Sequence, residues 1–379
     1  MSASRKKILF CPDSFKESIT ALEICSLAEH LGCNYPIELT CLPLADGGEG
    51  TTTTIATALQ MNTHTVDAFD PLGRPIQAQI AYDATSKLVV MEMAAAGGLG
   101  LLQPSERNPF VTSTYGVGTM IRNALSLGPK TILIGIGGSG TNDGASGLLM
   151  ALGAKFYDKK GNPVPLGAKG LLHLEHIDLT PALGTLNGVE IKVAFDVLNP
   201  LLGENGASMI YGKQKGAGAD DLPALDACLA HYHSVVLREQ SVDYSCVPGA
   251  GAAGGMGYGL LTIGAKMHQG FPMIADIYNI SSHIQQADLV IAGEGAVDGQ
   301  SLQGKPLGHL ATVCQSHNKP LWVVCGRCDL SLSEQKALGI ERVFQIKQPS
   351  MSVAQAIAET PNRLRDIFTG IFAELDSLL

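Results

Sequence analysis

At 379 residues, with 45% hydrophobic and 16% charged side chains, the chain exceeds one ordinary core and fits two domains of a soluble, packed protein. A net charge of −9, with no basic run beyond Arg5-Lys6-Lys7, makes nucleic acid and anionic membrane poor partners. The apolar run from Ile8 stops at Pro12-Asp13, too short for a cleavable leader, and no other stretch is long enough to span a bilayer.

Lys7 to Cys11 reads as a first strand. Ile19, Leu22, Ala28 and Leu31 then fall at helical spacing before Gly32. Ile37 to Leu44 makes a second strand, broken at Asp46-Gly47-Gly48-Glu49-Gly50, and Thr51 to Gln60 a second helix. This βαβα opening predicts a parallel sheet with helices on its faces. The style then changes. Thr63–Phe69, Pro75–Tyr82 and Lys87–Ala95 are strand-like runs separated by turn-formers, which predicts an antiparallel or mixed sheet. A helix over Gly116–Leu127, a strand over Thr131–Ile136, a short helical run at Leu148–Leu152, a strand at Ile191–Val197 and a helix at Leu222–Glu239 follow. From Ile274 the first style returns. It brings a helix to Gln286, strands at Ala287–Ala292, Leu321–Cys325 and Arg342–Ile346, a helix at Pro306–Ser316 and a last amphipathic helix through Leu364 and Leu375. The expectation is an α/β protein with a flavodoxin- or Rossmann-like parallel-sheet domain, residues 1–62 and 272–379. It is interrupted by a second α/β domain with a mixed sheet, residues 63–271, and ligands are expected in the cleft between the two.

The stretch richest in chemistry is Thr131 to Gly147, T-I-L-I-G-I-G-G-S-G-T-N-D-G-A-S-G. Strand, glycine-rich turn and helix start together can turn backbone N–H groups toward an anion. Ser139, Thr141, Asn142 and Asp143 crowd polar groups where a packing loop needs one. With Gly137 and Gly138 they read as the wall of a site for a phosphorylated ligand. A rival reading uses Gly135, Gly137 and Gly140 as G-x-G-x-x-G, with Asp158 18 residues further on, the outline of a dinucleotide site and hence of a nicotinamide-dependent dehydrogenase. Among 44 glycines the pattern is cheap: Gly249, Gly251 and Gly254 match it with no strand before them.

Other polar loops follow strand ends. Asp13, Ser14 and Lys16 follow the first strand, Asp46 and Glu49 the second, and Glu294 and Asp298 the strand ending at Ala292. Either acidic pair can hold Mg²⁺ through water, or merely favour a helix start. Gly299 to Lys305 begins like a P-loop, but Pro306 stands where a metal-binding hydroxyl belongs, leaving Lys305 alone to reach a phosphate. Asp196 ends a strand, and Lys213 and Lys215 put two cations on what reads as a mobile loop. Nine scattered cysteines read as reduced cytoplasmic thiols, and Cys325-Gly-Arg-Cys328 as buried or incidental rather than redox-active. Carboxylates, lysines and a glycine cradle are the parts phosphoryl transfer needs. A two-lobed binding protein without catalysis is the non-enzymatic alternative.

Pro12-Asp13-Ser14-Phe15-Lys16-Glu17-Ser18, Ala45-Asp46-Gly47-Gly48-Glu49-Gly50, Gly137-Gly138-Ser139 with Thr141-Asn142-Asp143-Gly144, and Asp196-Val197 with Asn199-Pro200-Leu201 recur in order with Gln214-Lys215-Gly216-Ala217, Pro248 to Gly255, and Gly293-Glu294-Gly295 with Asp298. This set resembles the type I glycerate kinases from Ile8 to about Ile346. The resemblance implies a flavodoxin-like domain interrupted by a second α/β domain. It also implies ATP-dependent phosphorylation of D-glycerate, in bacteria usually to 2-phosphoglycerate, in glyoxylate and sugar-acid breakdown. On that reading ATP and Mg²⁺ lie near Gly137–Gly144, Asp46 and Asp298, and Asp196 accepts the proton. Lys16 or Lys215 meets the glycerate carboxylate, and Asp13, Ser14, Glu294 and Lys305 complete the binding set. Ala296 departs from the family's usual arginine, Gly140 and Ala145 from its alanine and glycine, and Gly98 from its serine. Whether the chain forms a homodimer is left open.

Overall fold

The computed structural model describes residues 5–15, 18–45, 47–299 and 306–377, so Lys16, Asp46 and Lys305 lie outside the described residues. The strands are β1 (Lys6–Pro12), β2 (Ile37–Cys41), β3 (Asn62–Phe69), β4 (Pro75–Asp83), β5 (Leu88–Glu92) and β6 (Thr131–Gly135). Then come β7 (Lys155–Asp158), β8 (Leu174–Asp178), β9 (Glu190–Phe195), β10 (Lys266–Gln269), β11 (Leu289–Val297), β12 (Leu321–Cys328) and β13 (Ile340–Gln345). The chain divides into two compact units. One is Met1–Ala45 with Thr57–Leu59 and Phe271–Leu379; the other is Asp46–Ala56 with Gln60–Gly270.

The first unit holds a five-stranded sheet in the order β13-β12-β11-β1-β2, every neighbouring pair parallel. Counting only its own strands, this is the 2-1-3-4-5 order of flavodoxin-like sheets. Its inner strands β1, β11 and β12 carry long apolar runs without alternation, and Ile8 to Pro12 of β1 are buried throughout, whereas the edge strands β2 and β13 are half-exposed. The helix Ala21–Gly32 starts in a Thr20/Glu23 capping box and buries Ile24, Cys25 and Ala28. The helix Val353–Ser377 buries Leu364, Phe368, Ile371, Phe372 and Leu375, and the Phe368 ring meets Phe10 edge-on at 5.2 Å.

The second unit holds a six-stranded mixed sheet, β10-β9-β6-β5-β4-β3, parallel from β10 to β5 and antiparallel from β5 to β3, with β7 and β8 forming a separate antiparallel pair. Three of these strands have no counterpart in the sequence reading. β7, β8 and β10 are four or five residues long and half-exposed, too short to show a period. The turn Gly47–Gly50 packs with this unit, although the sequence boundary at residue 62 assigned it to the other. The cause is close backbone packing by glycines. A Cβ on Gly137 would lie 2.6 Å from Gly48 Cα, and Gly137 N–H donates to Gly47 O at 3.1 Å.

Two sequence rivals fail on this framework. Asp158 ends β7, outside the six-stranded sheet, and its carboxylate accepts from Lys160 N and Asn162 N at 2.8 Å, so it cannot serve as the acidic residue of a dinucleotide fold. Cys325 and Cys328 are both free and lie on the extended strand β12. Three residues of strand separate their Cα atoms by about 10 Å, beyond disulfide reach.

Candidate active site

In the second unit the parallel strands β5, β6 and β9 end side by side, and the polar loops predicted from sequence leave from those ends. β6 runs into Gly137-Gly138-Ser139. Gly138 is exposed in the left-handed region at φ +72°, and Gly137 and Ser139 are half-buried. Two bonds pin this crest to the neighbouring turn, Leu99 N–H to Gly138 O at 2.9 Å and Gly140 N–H to Gly97 O at 2.8 Å. Among the described residues, the N–H groups of Gly138 and Ser139 take no backbone partner. They are the donors such a loop can offer an anion. Asp196 directly follows β9, the strand beside β6, and is exposed. Ile136 N–H donates to Ala194 O at 3.1 Å, which ties the two strand ends together.

The rest of the glycine-rich stretch corrects the sequence expectation. Thr141, Asn142 and Asp143 are fully buried and do not line a surface. Asp143 accepts from Thr114 N at 2.8 Å, from the Ser113 hydroxyl at 3.0 Å, from the Thr114 hydroxyl and from Gly147 N at 3.3 Å. The helix Ser146–Ala151 therefore already has an anion at its start, and that anion is the chain's own Asp143. Burial pushes the Asp143 carboxyl above the usual range, against the pull of these hydrogen bonds. Asn142 donates to Ser208 Oγ at 3.0 Å, while its Oδ1 and Thr141 Oγ1 are buried with no partner among the described residues.

Lys215 is corrected too. It ends a tight turn, Lys213–Lys215, rather than riding a mobile loop, and is 1% exposed. Its Nζ donates to Thr141 O at 2.7 Å. A Cβ on Gly254 would sit 2.9 Å from that Nζ, so the left-handed run Ala253-Gly254-Gly255 closes over the ammonium. Burial pulls the Lys215 ammonium down to about 7, opposed by the charge of Asp143.

The first unit gathers a separate set at its own strand ends. Asp13 N–H donates to Gly293 O at 2.8 Å, and Ser14 N–H folds back on Asp13 Oδ1 at 2.6 Å. Glu294 is 7% exposed beside Cys325 across the β11–β12 pair, and Asp298 follows β11. Ala296 is directly paired with Arg327, whose Nε lies 2.9 Å from Asp329 Oδ2.

Two residues escaped the sequence reading. Glu92, the last residue of β5, was absorbed into an apparently ordinary strand, although a lone acid ending an apolar run was a visible signal. His268 on β10 has a buried Nε2 with no partner among the described residues, and its strand was not foreseen.

Among the described residues, no three His, Cys, Asp or Glu side chains are grouped to hold a metal, and no helix is long and apolar enough to cross a membrane. The chain is similar to a protein named glycerate 2-kinase from Escherichia coli K12, 40% identical over 345 residues and 90% of each chain. It is also similar to a glycerate kinase of Haemophilus influenzae, 39% identical over 345 residues, covering 90% of this chain and 91% of the relative. A crystal structure assigned to glycerate kinase 2 of Salmonella typhimurium LT2 superposes with a TM-score of 0.87 at 36% identity, covering 99% of both chains. The sequence model described as the glycerate kinase family matches residues 8–376, a span that takes in both sheets and every polar loop described above, and the chain belongs to that family.

Proposed function

We infer that the protein transfers the γ-phosphoryl group of ATP to D-glycerate, and that the edge formed by β6 and β9 is where the transfer is assisted. The observation that carries this reading is the adjacency of two unlike groups on neighbouring parallel strands. One is the half-open Gly137–Ser139 crest with the N–H groups of Gly138 and Ser139; the other is the Asp196 carboxylate. Neighbouring strands lie about 4.8 Å apart, so the ends of β6 and β9 can address one small ligand. The glycerate hydroxyl oxygen bonds to the γ-phosphorus as the bond to ADP breaks, and the hydroxyl proton goes to Asp196. The crest N–H groups bind phosphate oxygens and stabilise the charge that develops on them.

Mg²⁺ fits the chemistry of a carboxylate such as Asp298, which directly follows β11. Magnesium is ordinarily held by one or two such groups together with substrate phosphates. Asp46 and Asp298 are the carboxylates offered for it, and either suffices with phosphate oxygens. The ion would neutralise phosphate charge. Asp13, Ser14, Glu294, Lys16 and Lys305 are kept as candidate ligand contacts. The 2-phosphate as product has the name of the Escherichia coli relative as its support, and a place in glyoxylate and sugar-acid breakdown is what the family resemblance implies. Nine free cysteines accord with a reducing cytoplasm.

Incubation with D-glycerate and Mg-ATP, with ADP and the two phosphoglycerate isomers resolved, tests the activity. Asp196→Asn is expected to keep fold and nucleotide affinity while kcat falls by about 10²–10⁴-fold, the usual worth of general-base assistance. A near-normal kcat removes Asp196 from the mechanism.

A further inference from the structure

Four residues lie on one rung of the second sheet. Glu92 on β5 pairs with Gly135 on β6, Gly135 with Ala194 on β9, and Ala194 with His268 on β10. Residues paired across a parallel ladder share a face, so Glu92 and His268 stand at the two ends of a row whose middle is almost bare of side chain. Three strand spacings put the ends about 14 Å apart. The backbone of the turn Gly47–Gly50 fills the middle. A Cβ on Gly135 would lie 2.5 Å from Gly47 O, and one on Gly47 would lie 3.0 Å from the Ala194 methyl. Gly47 and Gly50 both hold positive φ, +92° and +88°, a backbone shape that side-chain-bearing residues rarely adopt.

One wall of this trough grips the turn. The Glu92 carboxylate faces the backbone N–H groups of Gly50, Thr51 and Thr52, at the start of the helix Thr51–Ala58, which oppose the effect of burial on it. Thr51 N–H donates to Gly48 O at 3.3 Å within the turn, and a carboxylate at this helix start meets the positive end of the dipole. Glu92 Oε2 is buried with no hydrogen bond among the described residues. The residue is half-buried beside the turn, and burial raises the pKa of its carboxyl against the pull of the nearby N–H groups.

We propose that Glu92 is a positioning residue, which locks the Gly47–Gly50 turn and its exposed Glu49 onto the ends of β6 and β9, beside the Gly137–Ser139 crest. The claim rests on the kinase reading of that edge, but the grip itself can be measured without turnover. Loss of the carboxylate frees the turn to lift from the trough, and the crest loses the Gly47 carbonyl that Gly137 N–H now meets at 3.1 Å.

The test combines amide hydrogen exchange over residues 47–56 with steady-state kinetics on D-glycerate and Mg-ATP, for Glu92→Ala, Glu92→Gln and Gly135→Ala. In Glu92→Ala, exchange at 50–54 is expected to rise at least about tenfold, with β6 and β9 unchanged, and kcat to fall by a similar factor with KM for ATP nearly constant. Glu92→Gln keeps one carbonyl acceptor and should stay within about threefold of wild type on both readouts. Unchanged exchange in Glu92→Ala overturns the proposal, as does a rise spread over the whole second unit. Equal loss of kcat in the Gln and Ala variants with quiet exchange also overturns it, since the charge would then act on the ligand directly. Should Glu92→Ala not fold, Gly135→Ala must give the same local exchange signature with Glu92 intact, and its absence refutes the mechanism. If the wild type does not phosphorylate glycerate, the kinase reading fails separately and the exchange data alone decide the grip.

Discussion

A lysine ammonium shut away from water, as Lys215 is, is costly to keep charged. Desolvation brings its pKa to about 7 from an ordinary 10.5, while the charge of Asp143 pulls the other way. The sign of the consequence follows from proton counting. Between about 7 and 10.5 the unfolded chain holds a proton that the native chain has released, so raising the pH across this window stabilises the fold. Below 7 both states hold the proton and the cost is present in full. One such group bounds the slope at about 1.4 kcal/mol per pH unit. Urea unfolding at pH 7, 8 and 9 should therefore show stability rising more steeply in wild type than in Lys215→Met. Parallel curves for the two proteins would mean that Lys215 keeps its proton when folded. The same burial sets the residue apart from the open-loop cation read in sequence: its Nζ donates to Thr141 O.

At the scale of elements, the second unit is organised by tight turns that press on one another. The turn Thr141 to Ala145 has Gly144 and Ala145 left-handed, and the opposing segment has Ala253, Gly254 and Gly255 left-handed in succession. Two such concave backbones approach closely only where side chains are missing. Gly254 lies at φ +68°, and a Cβ there would sit 2.7 Å from Asn142 Cα and 2.9 Å from Lys215 Nζ. Gly254→Ala therefore meets both the left-handed penalty and a clash with backbone that cannot yield. It should lower stability by about 2–4 kcal/mol, read as a shift of the urea midpoint with unchanged slope. A change under about 0.5 kcal/mol would show that the turns part easily. Ala145 carries the same strain without glycine's freedom, and its fully buried methyl sits in the core as partial compensation.

For the molecule as a whole, two of the hydrophobic cores among the described residues are distinct. One is built on the mixed sheet with Ile132, Leu148 and Tyr232, the other on the parallel sheet with Phe10, Trp322 and Phe368. Trp322 is the chain's single tryptophan, so its fluorescence reports the first unit alone, whereas far-UV circular dichroism reports both. Denaturation curves followed by the two signals are expected not to coincide, because units with separate cores need not unfold together. Coincident curves would show the chain melting as one cooperative body.

Much of this architecture is legible in the order of residues alone. Long apolar runs such as those of β1 and β11 announce a parallel sheet because they are buried on both faces, and the 3.6-residue stripe of the last helix announces its docking. The polar loops at strand ends, the split of one sheet between the two ends of the chain and the family resemblance can all be read along the chain. What local sequence could not give is which polar groups stay in contact with water. Ser139 and Asp143 stand four residues apart in one motif, yet one lies on a half-open crest and the other is sealed under Ser113, Thr114 and Gly147. Glu92 and Gly135 are far apart in the chain and meet only because β5 and β6 are neighbours in the sheet. Periodicity and composition record the balance between apolar burial and solvent along the chain. The partner of a buried charge is chosen by strand register and by the spaces glycines leave, and these exist only once the sheet has formed.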